Sequence, residues 1–168
     1  MLEMSPRNLP RALMILPFAL LGTLLSGQSG CGGGSDPYGH SEEHACIHME
    51  DGPAEPVVAT ASLTSAPSLA EPHTRYDVAL DQVSDTAPAY VSFSASDAAD
   101  YLIMLSAVEP VRVLDETGEL VPFLESRESS VYCEAIQSRH VATLEAGQYY
   151  LELGPTSATS LSVVLEEG

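Results

Sequence analysis

Short runs of alternating apolar and polar residues, separated by turn-forming residues, dominate most of the chain. In the run 75–81, RYDVALD, the side chains of Tyr76, Val78 and Leu80 share one face, as expected of a strand with one buried side. The run 100–106, DYLIMLS, is apolar on both faces, which predicts a central strand. Further strand-like runs are found at 56–63, 89–95, 111–115, 120–123, 139–145, 149–154 and 161–167.

This pattern predicts an all-β fold, an antiparallel β-sandwich or jelly-roll of about eight or nine short strands. Residues 125–137 break the alternation, and Ser129 or Ser130 could cap a helix there, so we expect one short helical insert near 125–137. Gly118, in the segment DETGEL, can supply the positive φ that a tight turn needs. Nothing in the pattern indicates alternating strands and helices.

The amino-terminal segment has the organisation of an export signal. Arg7 and Arg11 precede an apolar run at 12–25, which is followed by small residues. A helix that spans a bilayer needs about 20 apolar residues, so this run is too short for a permanent transmembrane helix. We therefore expect the chain to be exported.

The segment 28–31, QSGC, resembles the end of a bacterial lipobox, in which Cys31 would be cleaved at its amino side and acylated. Gln28 departs from the aliphatic residue that this pattern has at that position, and the alternatives are secretion without a lipid and a cytoplasmic protein. The Gly-rich sequence after Cys31 is typical of a flexible tether, and Gly32 resembles the type sorted to the outer membrane. The predicted parts are a lipoprotein signal peptide at 1–30, a Gly-rich tether and acidic His/Cys arm at 31–55, and a β-sandwich domain at 56–168.

The chain is strongly acidic, which makes some classes of binding partner unfavourable. Asp and Glu number 24 against 6 Arg and no Lys, which gives a formal net charge of −18. Such a chain is repelled by nucleic acids and by anionic lipid head groups, so we expect a lipid anchor to hold it at the membrane. Metal ions or envelope proteins are the partners that remain.

No catalytic motif is found in the sequence. It lacks a Gly-x-Ser-x-Gly elbow, a phosphate-binding Gly-rich loop and a His-Glu-x-x-His motif. The absence of Lys also excludes Schiff-base chemistry on a lysine. We therefore expect a protein that is not an enzyme.

Four segments carry a family resemblance: YVSFSASDAADYLIMLS, PVRVLDETGELV, ATLEAGQYYLELG and LSVVLEE. Together they resemble bacterial pre-peptidase C-terminal domains and related extracellular β-sandwich modules, over about residues 74–167. The sequence departs from that pattern at 98–100, where the family often has a glycine. The resemblance implies a non-catalytic accessory module and supplies no ligand or partner.

The cysteines predict a disulfide. If Cys31 is acylated, Cys46 and Cys133 remain, and an even number of cysteines in an exported protein favours a bridge. The alternatives are metal ligation by Cys46 and two free, buried thiols.

The segment 40–51, HSEEHACIHMED, holds three of the five histidines. If this segment is extended, His44, Cys46 and His48 point the same way, because alternate side chains share a face. A Cys46–Cys133 bridge would bring both histidines towards His140, seven residues beyond Cys133 in the sequence.

The histidines therefore suggest a metal site. Neutral imidazoles suit Zn²⁺ or Cu²⁺, and the acidic residues nearby would favour any cation. Two other interpretations remain open: a structural disulfide patch with incidental histidines, and a disordered polar arm. The candidate ligands are His44, His48, His73 and His140.

These observations favour a lipid-anchored, extracytoplasmic binding or accessory protein without catalytic activity. The alternative function is a metal-binding envelope lipoprotein that uses the histidine cluster beside a Cys46–Cys133 disulfide. In either case the expected location is the cell envelope, at the outer membrane, or the exterior if Cys31 is not acylated.

Overall fold

A computed structural model describes residues 36–81 and 86–168. The predicted signal peptide, Cys31 and the start of the tether lie outside the described residues. Within the described ranges no helix has both the length and the apolar character that a membrane crossing requires. The elements are α1 (Gly39–Asp51), β1 (Ala54–Val58), a 3₁₀ turn (Leu63–Ser65), β2 (Arg75–Ala79), β3 (Ala89–Ala95), β4 (Ala99–Leu105), β5 (Val111–Asp115), β6 (Leu120–Val121), β7 (Glu125–Glu128), β8 (Ser138–Leu144), β9 (Gly147–Leu153) and β10 (Ser160–Glu167).

The strands form two sheets, which confirms the predicted all-β sandwich. One sheet has six strands in the order β1-β2-β10-β4-β8-β7, and the other has four in the order β3-β9-β5-β6. Neighbouring strands are antiparallel except for the parallel pair β1 and β2. Gly118 has φ 86° in the turn between β5 and β6, as the sequence predicts.

The helical insert expected near 125–137 is wrong. Residues 125–128 form β7, an edge strand that pairs with β8, and residues 129–137 form turns without a helix. Strand β7 is polar throughout and mostly exposed, because one of its edges and one of its faces are open to solvent. It therefore lacks the alternation on which the sequence prediction depends.

The main hydrophobic core fills the space between the two sheets, and β4 shows how it is built. Ile103 and Leu105 of β4 point into this core, while Leu102 and Met104 point to the opposite face of the six-stranded sheet. All four are fully buried, which confirms the central strand predicted at 100–106. The outer face of this sheet must therefore be covered by another part of the chain.

Helix α1 provides that cover, so the acidic arm expected in this region is wrong for residues 39–51. Ala45 and Met49, one turn apart, are buried against a second apolar cluster on the outer face of the six-stranded sheet. The Cys46–Cys133 disulfide ties the helix to the turn before β8, with Cα atoms 5.5 Å apart. The helix is thus part of the folded domain.

A buried ion pair also holds α1 against the sheet. The guanidinium of Arg139 on β8, 1% exposed, donates to Glu42 of α1 at 2.7 Å and to Asp36 at 2.9 Å. Just before the helix, the Tyr38 hydroxyl donates to the Asp100 carboxylate at 2.8 Å. These contacts fix the amino end of α1, and with it the position of the histidines further along.

Candidate metal centre

Helix α1 places His44 and His48 side by side. They are four residues apart, one turn of helix, so their side chains lie on the same face, with ring centroids 4.6 Å apart. The extended segment expected from the sequence is wrong, and so is the shared face with Cys46. At roughly 100° per residue, Cys46 is rotated about 200° from His44, on the other flank of the helix.

The third histidine comes from a loop. His73 precedes β2 and has φ 54°, a left-handed conformation that few residues other than glycine adopt. Its ring centroid is 5.0 Å from that of His44 and 5.4 Å from that of His48. The structure thus brings together three of the four histidines proposed as ligands.

A carboxylate that the sequence did not single out completes the group. Glu166 lies on β10, and with Val164 it points to the outer face of the six-stranded sheet, beneath α1. Its side chain is only 6% exposed, and its carboxylate oxygens lie 3.5 Å from His44 Nδ1 and 3.3 Å from His73 Nδ1. Glu166 Oε1 is also 3.8 Å from His48 Nε2.

The spacing of these four side chains suits a tetrahedral metal ion. One ligand atom of each of His44, His48, His73 and Glu166 lies within 4.8 Å of all the others. With metal–ligand bonds of about 2.0–2.1 Å, the ligand atoms of a tetrahedral zinc site are about 3.3 Å apart. The shortest carboxylate–imidazole distances already have this value, so small side-chain rotations would bring the others to it.

The ring of His48 is buried and forms no hydrogen bond with the described residues. The His48 side chain is 13% exposed, yet neither ring nitrogen has a hydrogen-bond partner within 36–81 and 86–168, and the 3.8 Å to Glu166 is too long for a hydrogen bond. Leaving a buried polar group unpaired costs about 1–3 kcal/mol. A metal ion among the four side chains would accept a lone pair from His48 and remove part of that cost.

A second group of metal-ligating residue types does not form a metal site in this state. Cys46, Cys133 and Glu50 also lie together, but the two sulfurs are bonded to each other and offer no thiolate. The predicted disulfide is confirmed, and the alternatives of metal ligation by Cys46 and of free thiols are wrong for this structure.

His140 is not part of the group. It lies on β8 beside the edge strand β7, where its ring stacks on Phe123 at 4.6 Å and its Nδ1 is 2.9 Å from Ser126 Oγ. Burial lowers the pKa of His140 below its usual 6.5. It is therefore a packing residue, and the prediction that it joins the other histidines is not met.

A cavity of about 400 Å³ adjoins the group, beneath the loop that carries His73. His73 and Glu166 belong to its lining, together with the apolar side chains of Leu69, Phe93 and Leu165. The side chains of His73 and His44 are also 56% and 44% exposed. The candidate centre is thus open to solvent, although its carboxylate is buried.

Comparison with known proteins adds no function to this geometry. No protein-family model matches the chain, and no curated protein is found to be similar to it. The resemblance to pre-peptidase C-terminal domains stays a prediction.

Proposed function

We propose that this protein is a non-catalytic, metal-binding protein of the cell envelope, which holds one Zn²⁺ ion between helix α1 and the six-stranded sheet. The ligands are His44 and His48 of the helix, His73 of the loop before β2, and Glu166 of β10. The observation that carries the proposal is their mutual spacing within 4.8 Å around a His48 ring whose nitrogens have no hydrogen-bond partner in the described part of the chain.

Zinc is favoured over other metals by the chemistry of the donors. Three imidazoles and one carboxylate are borderline ligands, which suit Zn²⁺ and, second, Cu²⁺. The two sulfurs near the helix are in a disulfide, so they give no thiolate for Cu⁺. Three neutral imidazoles and one carboxylate would leave a net charge of +1 on a bound divalent ion, in a chain whose net charge is −18.

The exposure of the ligands supports reversible binding. The side chains of His44 and His73 are about half exposed, so solvent reaches two of the four proposed ligands. A metal ion bound here would exchange with the surrounding solution. The proposed role is therefore buffering, storage or delivery of zinc.

An envelope location completes the proposal. The disulfide fits an oxidising compartment, and acylation of Cys31 would hold this acidic domain at the membrane. The lipid anchor is tested by mass spectrometry of the protein isolated from its membrane. The predicted protein begins at Cys31 and carries acyl chains, and an unmodified Met1 amino terminus would contradict the anchor.

The metal is tested by zinc titration of the exported, disulfide-bonded protein and of two matched variants. We expect the parent protein to take up about one equivalent of Zn²⁺. Loss of even an outer-shell partner costs about 10- to 100-fold in metal affinity, so His48→Ala, which removes a ligand, should cost at least about 100-fold. His40→Ala changes an exposed histidine of the same helix outside the group and should bind as the parent does.

A parent protein that takes up no Zn²⁺ would contradict the proposal. Equal losses in the His40→Ala and His48→Ala variants would show non-specific binding and would also contradict it. A parallel titration with Cu²⁺ measures the preference between the two metals.

A further inference from the structure

Two of the proposed metal ligands and one cysteine of the disulfide lie on opposite flanks of helix α1. His44 and His48 lie on one flank of α1, and Cys46, between them in sequence, lies on the other. Ala45 and Met49 face the sheet between these two flanks. One rigid element therefore carries two of the four proposed ligands and one half of the disulfide.

From this arrangement we propose that the Cys46–Cys133 disulfide controls the metal affinity of the centre, so that reduction of the disulfide promotes release of the metal. The inference rests on the proposed function and adds its regulation. By thermodynamic linkage the effect is reciprocal: bound zinc must make the disulfide harder to reduce, by the same factor in the equilibrium constants.

The physical reason is the cost of ordering α1. A helix of 13 residues is marginal by itself, and Tyr38 at its amino end gives it no side-chain capping hydrogen bond. Cys133 lies in a turn without regular structure, 87 residues away in sequence, so the disulfide restricts both segments. Without the bridge, part of the binding free energy of the metal must be used to order the helix.

Reduction of the disulfide should weaken zinc binding without abolishing it. After reduction α1 keeps its ion pair between Glu42 and Arg139 and the packing of Ala45 and Met49. Histidines on a helix that is still docked part of the time retain some affinity. We expect the affinity for Zn²⁺ to fall about tenfold, within the usual range of about 5- to 150-fold for coupled sites.

The chemical step is ordinary thiol–disulfide exchange with a dithiol as reductant. The S–S bond between Cys46 and Cys133 breaks, and a disulfide forms within the dithiol. Two electrons and two protons pass from the dithiol to the protein, which leaves two cysteine thiols. No other reactant is needed.

The first test compares zinc affinity with and without the bridge. A Cys46→Ser, Cys133→Ser double variant has no thiols that could bind zinc themselves, and it should bind Zn²⁺ about tenfold more weakly than the oxidised parent. Val113→Ala, in the four-stranded sheet, is the control for a general loss of stability and should keep the parent's affinity. Equal affinities of the parent and the double variant would overturn the inference.

The second test uses the unaltered cysteines, so it decides the question even if the double variant does not fold. The rate at which a phosphine reduces the disulfide is measured with and without saturating Zn²⁺. The phosphine becomes its oxide with oxygen from water, and the two protons pass to the cysteine sulfurs. Cys133 is only 5% exposed, so the phosphine reaches the disulfide mainly when α1 opens locally, and bound Zn²⁺ opposes that opening. We expect Zn²⁺ to slow reduction at least about fivefold in the parent, and much less in Glu166→Gln.

The outcomes separate the two proposals. An oxidised parent that binds no zinc removes the proposed function. A parent that binds zinc but is reduced at an unchanged rate overturns this inference alone. Faster reduction in the presence of zinc would also overturn it, because it would show that the freed thiolates of Cys46 and Cys133, beside Glu50, bind the metal better than the disulfide form does.

Discussion

The carboxylate of Glu166 lies under the ring of His48, with Oε1 3.8 Å from Nε2, too far for a hydrogen bond and close enough for both to reach one metal ion. Glu166 lies on β10, an inner strand of the six-stranded sheet, and His48 lies on the helix that covers this sheet. A metal bound between them would join the two layers. This contact is the reason to expect that metal binding stabilises the fold.

Replacement of Glu166 by Gln should separate the effects of this side chain on stability and on binding. In the metal-free protein the carboxylate of Glu166 is buried, and its neighbours are the imidazoles of the three histidines and not a guanidinium. We expect metal-free Glu166→Gln to unfold at the same temperature as the parent or higher. Zinc at a concentration that saturates the parent should raise the midpoint of the parent, and raise that of the variant much less, as measured by calorimetry.

A similar zinc-induced shift in both proteins would show that the carboxylate is not a ligand. His140→Gln serves as the control, because it alters a histidine outside the group and should preserve the zinc-induced shift.

The buried pair of Glu42 and Arg139 should be essential to the docking of α1. Arg139→Met leaves Glu42, 2% exposed, without its cation, and we expect a loss of about 3–5 kcal/mol in the free energy of unfolding. Adding Glu42→Gln should recover part of this loss, since the uncompensated charge is removed. Urea denaturation of the parent, both single variants and the double variant measures the coupling.

If the double variant loses as much free energy of unfolding as the two single variants lose together, Glu42 and Arg139 are not coupled. Arg112→Met, at an exposed guanidinium that pairs with Glu152 on the other sheet, gives a matched comparison for loss of an arginine.

His140 should make stability depend on pH. Its pKa is lowered by burial, so the unfolded chain binds a proton more readily than the folded protein. Neutral His140 contributes fully to the free energy of unfolding above pH 6.5, the pKa of histidine in the unfolded chain. This contribution is lost as the pH falls from 6.5 through the lower pKa of His140 in the folded protein. Relative to His140→Gln, the metal-free parent should therefore lose stability as pH decreases below 6.5, as measured by denaturant unfolding at several pH values.

Because both proteins keep the other histidines, their titration cancels in this comparison. A stability difference that does not vary with pH, or that favours the parent at low pH, would contradict the assignment of His140 as a neutral packing residue.

The strands could be predicted from the sequence where their alternation was complete. The runs at 89–95 and 111–115 match β3 and β5 in full, because one face of each strand is buried and the pattern is local. Strand β7 has no such pattern, since it lies at an edge and is polar. The apolar β4 indicated a covered outer face, but not which part of the chain covers it.

The helix could not be predicted, because its stabilisation comes from distant residues. Only Ala45 and Met49 give it an apolar face, and its other anchors include a disulfide and an ion pair formed across 87 and 97 residues of sequence. Glu166 was missed for a related reason. A glutamate near the end of a strand is usually exposed, and here α1 and the loop that carries His73 cover it.

The histidine side-chain spectrum of the protein, recorded by ¹H–¹⁵N NMR during zinc titration, tests the central claim most directly. We predict that one equivalent of Zn²⁺ shifts the ring nitrogens of His44, His48 and His73, while those of His40 and His140 keep their positions. Shifts at none of the five histidines, or equal shifts at all of them, would contradict a metal centre between the helix and the sheet.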